Sequence, residues 1–375
     1  MMALSQRIWR NYAAKAYTYV RQILAFIKSA YLFAFFLGST SSADAEISFF
    51  KLSSPQLIAP LIIPVRPHEE PLHAWENYLK QLSTNSDLVE LFEGRLPYIQ
   101  VRSLQPLSAK ELADASVVIM NSPRDFTNKI YPTTDDTSHP HENRIHTLSN
   151  TLKELGSTQT FLLPIAAGIG FTHSEYQDFK NKIADEVRLL ISPGGDDVHT
   201  SFYKQPSIWA NYTNATRDKY EISLIQTFTR KQKGFILGIC RGMQITSVAL
   251  GYKLVQDIPH HFNSPISHRE YALHPVTFLP TTHNLLLTAS GSALNTVNSL
   301  HHQSVILHKN GPLELAAHTS DGITEGAEFK NGKGLLVQFH PELLKFDLGK
   351  KVLSQVTYKV WPKLASANVC QKWYQ

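Results

Sequence analysis

The run Leu237-Gly238-Ile239-Cys240-Arg241-Gly242-Met243-Gln244 limits what this chain can fold into more than any other stretch. Gly234 to Leu237 is a short apolar run of the kind that forms a buried strand. Beyond the cysteine, Met243, Ile245, Val248, Ala249 and Leu250 recur at helical spacing until Gly251 supplies a stop. Gly238 and Gly242 flank Cys240, where side chains would obstruct a sharp reversal. The pattern predicts strand, tight turn and helix with Cys240 at the apex, the arrangement called a nucleophile elbow. A thiol there sits at the positive end of the helix dipole, the setting of many reactive cysteines. The competing reading is a small packed cysteine in an ordinary βα turn.

A nucleophilic cysteine needs a base within hydrogen-bond reach and a group that orients the base. Gly334 to Phe339 reads as a second buried strand, running into His340-Pro341-Glu342. If that end stays extended, the His340 and Glu342 side chains point to the same side, with Pro341 stiffening the link. A loop tripeptide is the alternative. A third stretch, Val187 to Ile191 followed by Ser192-Pro193-Gly194-Gly195-Asp196-Asp197, pairs a strand with a glycine turn whose amides can face a ligand. The amides of Gly195 and Arg241 are the candidate oxyanion hole, against a plain Pro-Gly-Gly turn.

Together these stretches resemble the class I glutamine amidotransferase-like superfamily. Within it they are most similar to the γ-glutamyl-γ-aminobutyrate hydrolase type, which is peptidase C26-like. The residues carrying the likeness are Pro193-Gly194-Gly195-Asp196-Asp197-Val198 with Tyr203, Leu237 to Gln244, and Leu254-Val255-Gln256-Asp257-Ile258. Val297-Asn298-Ser299-Leu300-His301-His302-Gln303 and Val337 to Glu342 complete it. Order and spacing agree from about Ala115 to about Leu343. The resemblance implies a nucleophile at Cys240, a general base and acid at His340, and Glu342 orienting that histidine. It implies substrate contacts from Gln244, from Arg217 and Glu221 of an R-D-x-x-E motif, and from His301, His302 and Gln303 of an H-H-Q motif. The H-H-Q match favours a hydrolase over an ammonia-supplying domain. Arg217 and Glu221 read equally well as an i,i+4 surface pair. Tyr252, where the family usually has glycine, and Thr200, where it often has proline, are departures; both fall near loops that shape the pocket.

Strands alternating with helices from Ser116 onward predict an α/β fold, a mostly parallel sheet with helices on both faces. The resemblance makes it flavodoxin-like. Expected pieces are a strand at Ser116 to Met120, a helix around Arg144 to Leu155, a strand at Phe161 to Pro164 and a helix at Glu175 to Ala184. Residues 46–114 lie outside the family pattern; they offer a helix around Ala74 to Leu91 and a strand at Tyr98 to Val101, and read as an extension wrapped on the core. The hydrolase domain is expected over 115–350, with 351–375 a tail.

Residues 1–45 carry Arg7, Arg10, Lys15, Arg21 and Lys28, then an apolar core at Ala30 to Gly38 and the small-residue exit Ala43-Asp44-Ala45. That is the layout of a secretory signal peptide, with a mature chain beginning near Glu46. The alternatives are an uncleaved anchor, with membrane contact through residues 19–38, and a buried amphipathic helix. Export to the periplasm or exterior is the expectation. An intact N-terminus on the native protein would count against cleavage. The net charge of +5 owes much to this segment, and no nucleic-acid recognition motif is present, so nucleic-acid binding is not expected. Of the two cysteines, Cys370 lies in a polar tail and looks unpaired. The pairs His260-His261, His301-His302 and His139-x-His141 have no metal-ligand spacing, so no metal is expected. The chemistry calls for no cofactor.

The function expected is hydrolysis of a small γ-glutamyl amide through a thioester on Cys240. The alternatives are a glutaminase subunit serving a separate synthetase, or a non-catalytic, membrane-tethered binding protein of the same fold.

Overall fold

The computed structural model describes residues 46–88, 99–121, 144–344 and 346–362. The signal-like segment, His139, His141 and Cys370 lie outside them. Strands β1 (Ser48–Ser53) and β2 (Leu61–Val65) precede helix α1 (Pro71–Thr84), β3 (Ser103–Pro106), α2 (Ala109–Asp114) and β4 (Ser116–Met120). Alternation continues through α3 (Arg144–Glu154), β5 (Thr160–Pro164), α4 (His173–Glu186), β6 (Leu189–Ser192), α5 (Ala215–Lys231), β7 (Phe235–Ile239) and α6 (Arg241–Ala249). A β-rich section follows: β8 (Lys253–Val255), α7 (Ile258–His261), β9 (Ala272–Phe278), α8 (Leu285–Ser290), β10 (Leu294–Ser299) and β11 (Ser304–Ile306). It closes with β12 (Leu313–His318), β13 (Thr324–Phe329), β14 (Gly334–Val337) and helix α9 (Asp347–Val360).

One twelve-stranded sheet runs in the order β10-β9-β12-β13-β14-β7-β6-β4-β5-β2-β1-β3. Its centre, from β14 to β2, is parallel. Antiparallel arms flank it on both sides. The fold is therefore α/β. Every residue of β4, β5, β6 and β7 is buried, which is why these strands read as unbroken apolar runs rather than alternating ones. Helices α4, α5 and α6 pack on one another, and so do α3, α8 and α9, with α6 and α9 both reaching β7.

Residues 46–114 contribute β1, β2 and β3 to the far edge of this same sheet. The expected strand at Tyr98 to Val101 is displaced to Ser103–Pro106, where it pairs with β1. As an edge strand with two exposed residues it lacks the apolar signature of a core strand. Helix α1 ends at Thr84, where Asn85 takes extended backbone; helix resumes at Ser86 to Leu88, and the rest of the stretch expected to reach Leu91 lies outside the described residues. The tail expected over 351–375 is corrected as far as residue 362, the rest lying outside the described residues. Val352, Leu353 and Val356 are buried on α9, and Trp361 donates its indole N–H to the Ala113 carbonyl at 2.9 Å. Helical spacing of apolar residues holds this segment on the core.

Candidate active site

Strands β14, β7 and β6 are parallel neighbours, so their carboxyl ends share one rim of the sheet. Each of the three sequence stretches leaves from that rim, the usual place for a site in an open α/β sheet. Cys240 follows β7 and precedes α6, with φ +53° and ψ −110°. A non-glycine residue in that region is strained, and it persists only where its surroundings hold it. They do so here: the Cys240 amide donates to the Val337 carbonyl at 2.8 Å. A β-carbon at Gly242 would collide with the Ser192 carbonyl, and one at Gly238 would lie 2.7 Å from the Gly242 oxygen. The two glycines therefore let β6 and α6 close around the turn. Cys240 is 6 % exposed, with its Sγ 3.9 Å from the Leu300 carbonyl oxygen.

His340 is fully buried and its Nδ1 lies 2.7 Å from Glu342 Oε1. The extended geometry expected for this tripeptide is not what brings them together. The strand ends at Val337, His340 is extended, and Pro341–Leu343 turns into a 3-10 helix that swings the carboxylate back onto the ring. Asn298 clamps the backbone here: its Nδ2 donates to the His340 carbonyl at 3.0 Å and its Oδ1 accepts from the His340 amide at 2.9 Å. Burial alone would depress the His340 pKa, but the Glu342 carboxylate and the negative charge available at Cys240 outweigh it and push it up to about 9. Among the described residues, His340 Nε2 has no hydrogen-bond partner of good geometry. A β-carbon at Gly194 would lie 2.9 Å from His340 Cε1, so the glycine turn and the imidazole meet as well.

Asn121, at the end of β4, donates to the carbonyls of Pro193 and Gly194 at 3.3 and 3.2 Å and holds that turn. Arg241 occupies the first position of α6, where the amide has no helical acceptor. Its side chain runs inward. The guanidinium pairs with Glu221 and Asp218, each at 2.7 Å and each fully buried. Glu221 also accepts from Ser192 Oγ at 2.7 Å, and Arg217 reaches Asp218 at 2.8 Å and the Asp197 carbonyl at 2.7 Å. The surface-pair reading of Arg217 and Glu221 is thereby corrected: both are 1 % exposed, and each binds other partners. They brace the loop after β6 and the residue after the cysteine from behind.

Gln244 is buried, donating to the Gln303 carbonyl at 3.4 Å and to Gln338 Oε1 at 3.3 Å. Gln303 donates to the Gln256 carbonyl at 3.3 Å. His302 spans two acidic loops, with Nδ1 3.0 Å from Asp257 and Nε2 2.9 Å from Asp197. His301 turns the other way, toward Glu325 at 3.2 Å. Tyr252 accepts from the Leu313 amide at 3.1 Å and stacks on His308, so this departure props the 308–313 loop. Thr200 is buried in the short turn that carries Tyr203. Asn298, Asp218 and Gln338 stand inside the quoted motifs with no role that spacing could assign; Asn121 carries no sequence signal.

A family model, Peptidase C26, matches residues 162–342. Protein NtpR of Enterococcus hirae is 35 % identical over 169 residues, covering 42 % of this chain and 68 % of that protein. The glutamine amidotransferase-like protein YvdE of Lactococcus lactis is 31 % identical over 203 residues, covering 51 % of this chain and 76 % of its own length. With the elbow, the glycine turn and the His-Pro-Glu stretch set on adjacent strand ends, the chain belongs to the class I glutamine amidotransferase-like superfamily.

Proposed function

We propose that the protein hydrolyses γ-glutamyl amide bonds through a γ-glutamyl thioester on Cys240. The supporting observation is a strained cysteine at a βα turn beside an imidazole that Glu342 orients, on a rim where a glycine turn also ends. Sulfur attacks the γ-carbonyl, and the amides of Gly195 and Arg241 receive the oxyanion. His340 carries the proton to the departing amine; the amine leaves and the thioester remains. Water, deprotonated by His340, then adds to the thioester, and glutamate departs as the thiol is restored. Each step balances with no redox partner. Asn298, Arg217, Asp218 and Glu221 act as positioning residues, because each reaches the reacting groups only through another residue.

Replacing Cys240 with alanine or serine is expected to reduce turnover of γ-glutamyl amines and γ-glutamyl peptides by at least about a thousandfold, the order set by losing the nucleophile. Steady-state assays on γ-glutamyl-putrescine derivatives, γ-glutamyl peptides and glutamine, with no added protein, make the test. Comparable turnover in the C240A protein removes the assignment. Turnover of glutamine alone, rising with a synthetase partner, would make the chain a glutaminase subunit instead.

A further inference from the structure

Four side chains that the proposed chemistry does not use meet in the antiparallel arm of the sheet. His268 precedes β9, His274 lies on it, His301 follows β10, and Glu325 opens β13. Each is at least 96 % buried, and Glu325 is wholly so. His268 Nδ1, His274 Nε2 and His301 Nε2 lie 3.2, 3.6 and 3.2 Å from Glu325 Oε1. One ligand atom from each residue falls within 4.8 Å of every other.

The outer ring nitrogens settle which way the inner ones face. His301 Nδ1 is 2.9 Å from the Gln303 carbonyl and His274 Nδ1 is 3.3 Å from the Pro275 carbonyl. A carbonyl only accepts, so each of those nitrogens carries the proton. His268 Nε2 is 3.0 Å from Asp321 Oδ2, which accepts in the same way and is itself held by Ser264 and Thr319. In each neutral ring the remaining nitrogen is then a bare lone pair. Three such lone pairs and a carboxylate converge on one buried point, and none of these atoms has a hydrogen bond of good geometry among the described residues. Acceptors facing acceptors in a dry space repel unless a cation lies between them. Protonating one ring would satisfy one contact and leave the other two lone pairs facing the carboxylate, and protonating all three would crowd three positive charges around it.

We infer that His268, His274, His301 and Glu325 form a structural site for one divalent transition-metal ion of the zinc class. Three imidazoles and one carboxylate suit Zn²⁺, and ligands about 2.0–2.1 Å from a tetrahedral centre stand roughly 3.3 Å apart. The separations from Glu325 already have that length. Each histidine gives its other N–H to a carbonyl or carboxylate, the outer support that metal-bound imidazoles require. All four positions are filled by protein, so the ion has a bracing role and no open place for water. What it braces is the catalytic rim. His301 is next to Leu300, whose carbonyl faces Cys240 Sγ, and the Glu325 carbonyl accepts from the Gln338 amide two residues before His340.

The test uses the full chain carrying C240S, so that the Cys240 thiol cannot supply a ligand. The chain is purified without chelator, and its metal is counted by plasma mass spectrometry before and after addition of Zn²⁺ or Co²⁺. The expected result is one equivalent of bound metal, and intense visible bands of tetrahedral cobalt in the Co²⁺ form. H274Q and E325Q should each weaken binding by about tenfold or more. A strong chelator should lower the thermal midpoint of the C240S chain, with re-added Zn²⁺ restoring it; this reading requires no substitution among the ligands. A C240S chain that takes up neither metal overturns the inference, as do folded H274Q and E325Q chains that bind as tightly as their parent.

Discussion

At Cys240 the chain accepts an unfavourable backbone conformation to present its sulfur, and it does so beside a histidine that is kept charged. The pH dependence follows from that charge. In the proposed mechanism a protonated His340 delivers the proton to the leaving amine, and, against the effect of burial, the Glu342 carboxylate beside it pushes its pKa up to about 9. kcat/KM is therefore expected to hold on the alkaline side of neutrality and fall as pH rises through about 9. Glu342 is a main cause of the raised value, so E342Q should move the alkaline limb to lower pH as well as reduce kcat. A pH profile of both proteins makes the measurement; an unmoved limb would detach Glu342 from the base. The same shift bears on stability. The pKa is raised from the ordinary 6.5, so the contribution is complete below about pH 6.5 and is lost as pH climbs through about 9.

Between elements, a buried ion network joins α5 to the start of α6 beneath the β6 loop. Arg241 is fully buried between Asp218 and Glu221, where burial works against its charge and the two carboxylates more than compensate. Removing Glu221 leaves Arg241 sharing the Asp218 carboxylate with Arg217. E221Q is expected to cost about 3–5 kcal/mol of unfolding free energy, read from urea denaturation. A cost below about 1 kcal/mol would show that the pair contributes no more than an exposed one. This network also shows where sequence spacing misleads. Arg217 and Glu221 sit four apart on one helix, yet Glu221 serves Arg241 and Arg217 serves Asp218 and the Asp197 carbonyl. An i,i+4 pattern reports which residues share a helix face, and only the neighbouring elements determine what that face meets.

For the molecule as a whole, the sheet ties three sections of chain into one core: the β1–β3 edge, the parallel centre and the antiparallel arm. Helix α9 covers part of that core with Val352, Leu353 and Val356. L353A is expected to destabilise the protein by about 2–4 kcal/mol, measured by chemical denaturation; a neutral effect would mean that the helix packs loosely. The alternation of strands and helices, the elbow around Cys240 and the placing of the glycine turn and the His-Pro-Glu stretch after strands were readable in the sequence. They depend on contacts a few residues apart and on the burial of whole strands, and both leave periodic or steric marks in the chain. The His-Pro-Glu stretch was readable as a pair but not as a shape, because the 3-10 turn after His340 is held by Asn298 from another strand. The meeting of His268, His274, His301 and Glu325 left no spacing signal at all. Those residues come from separate strands and loops, and only the pairing of β9, β10, β12 and β13 decides that they share a point in space.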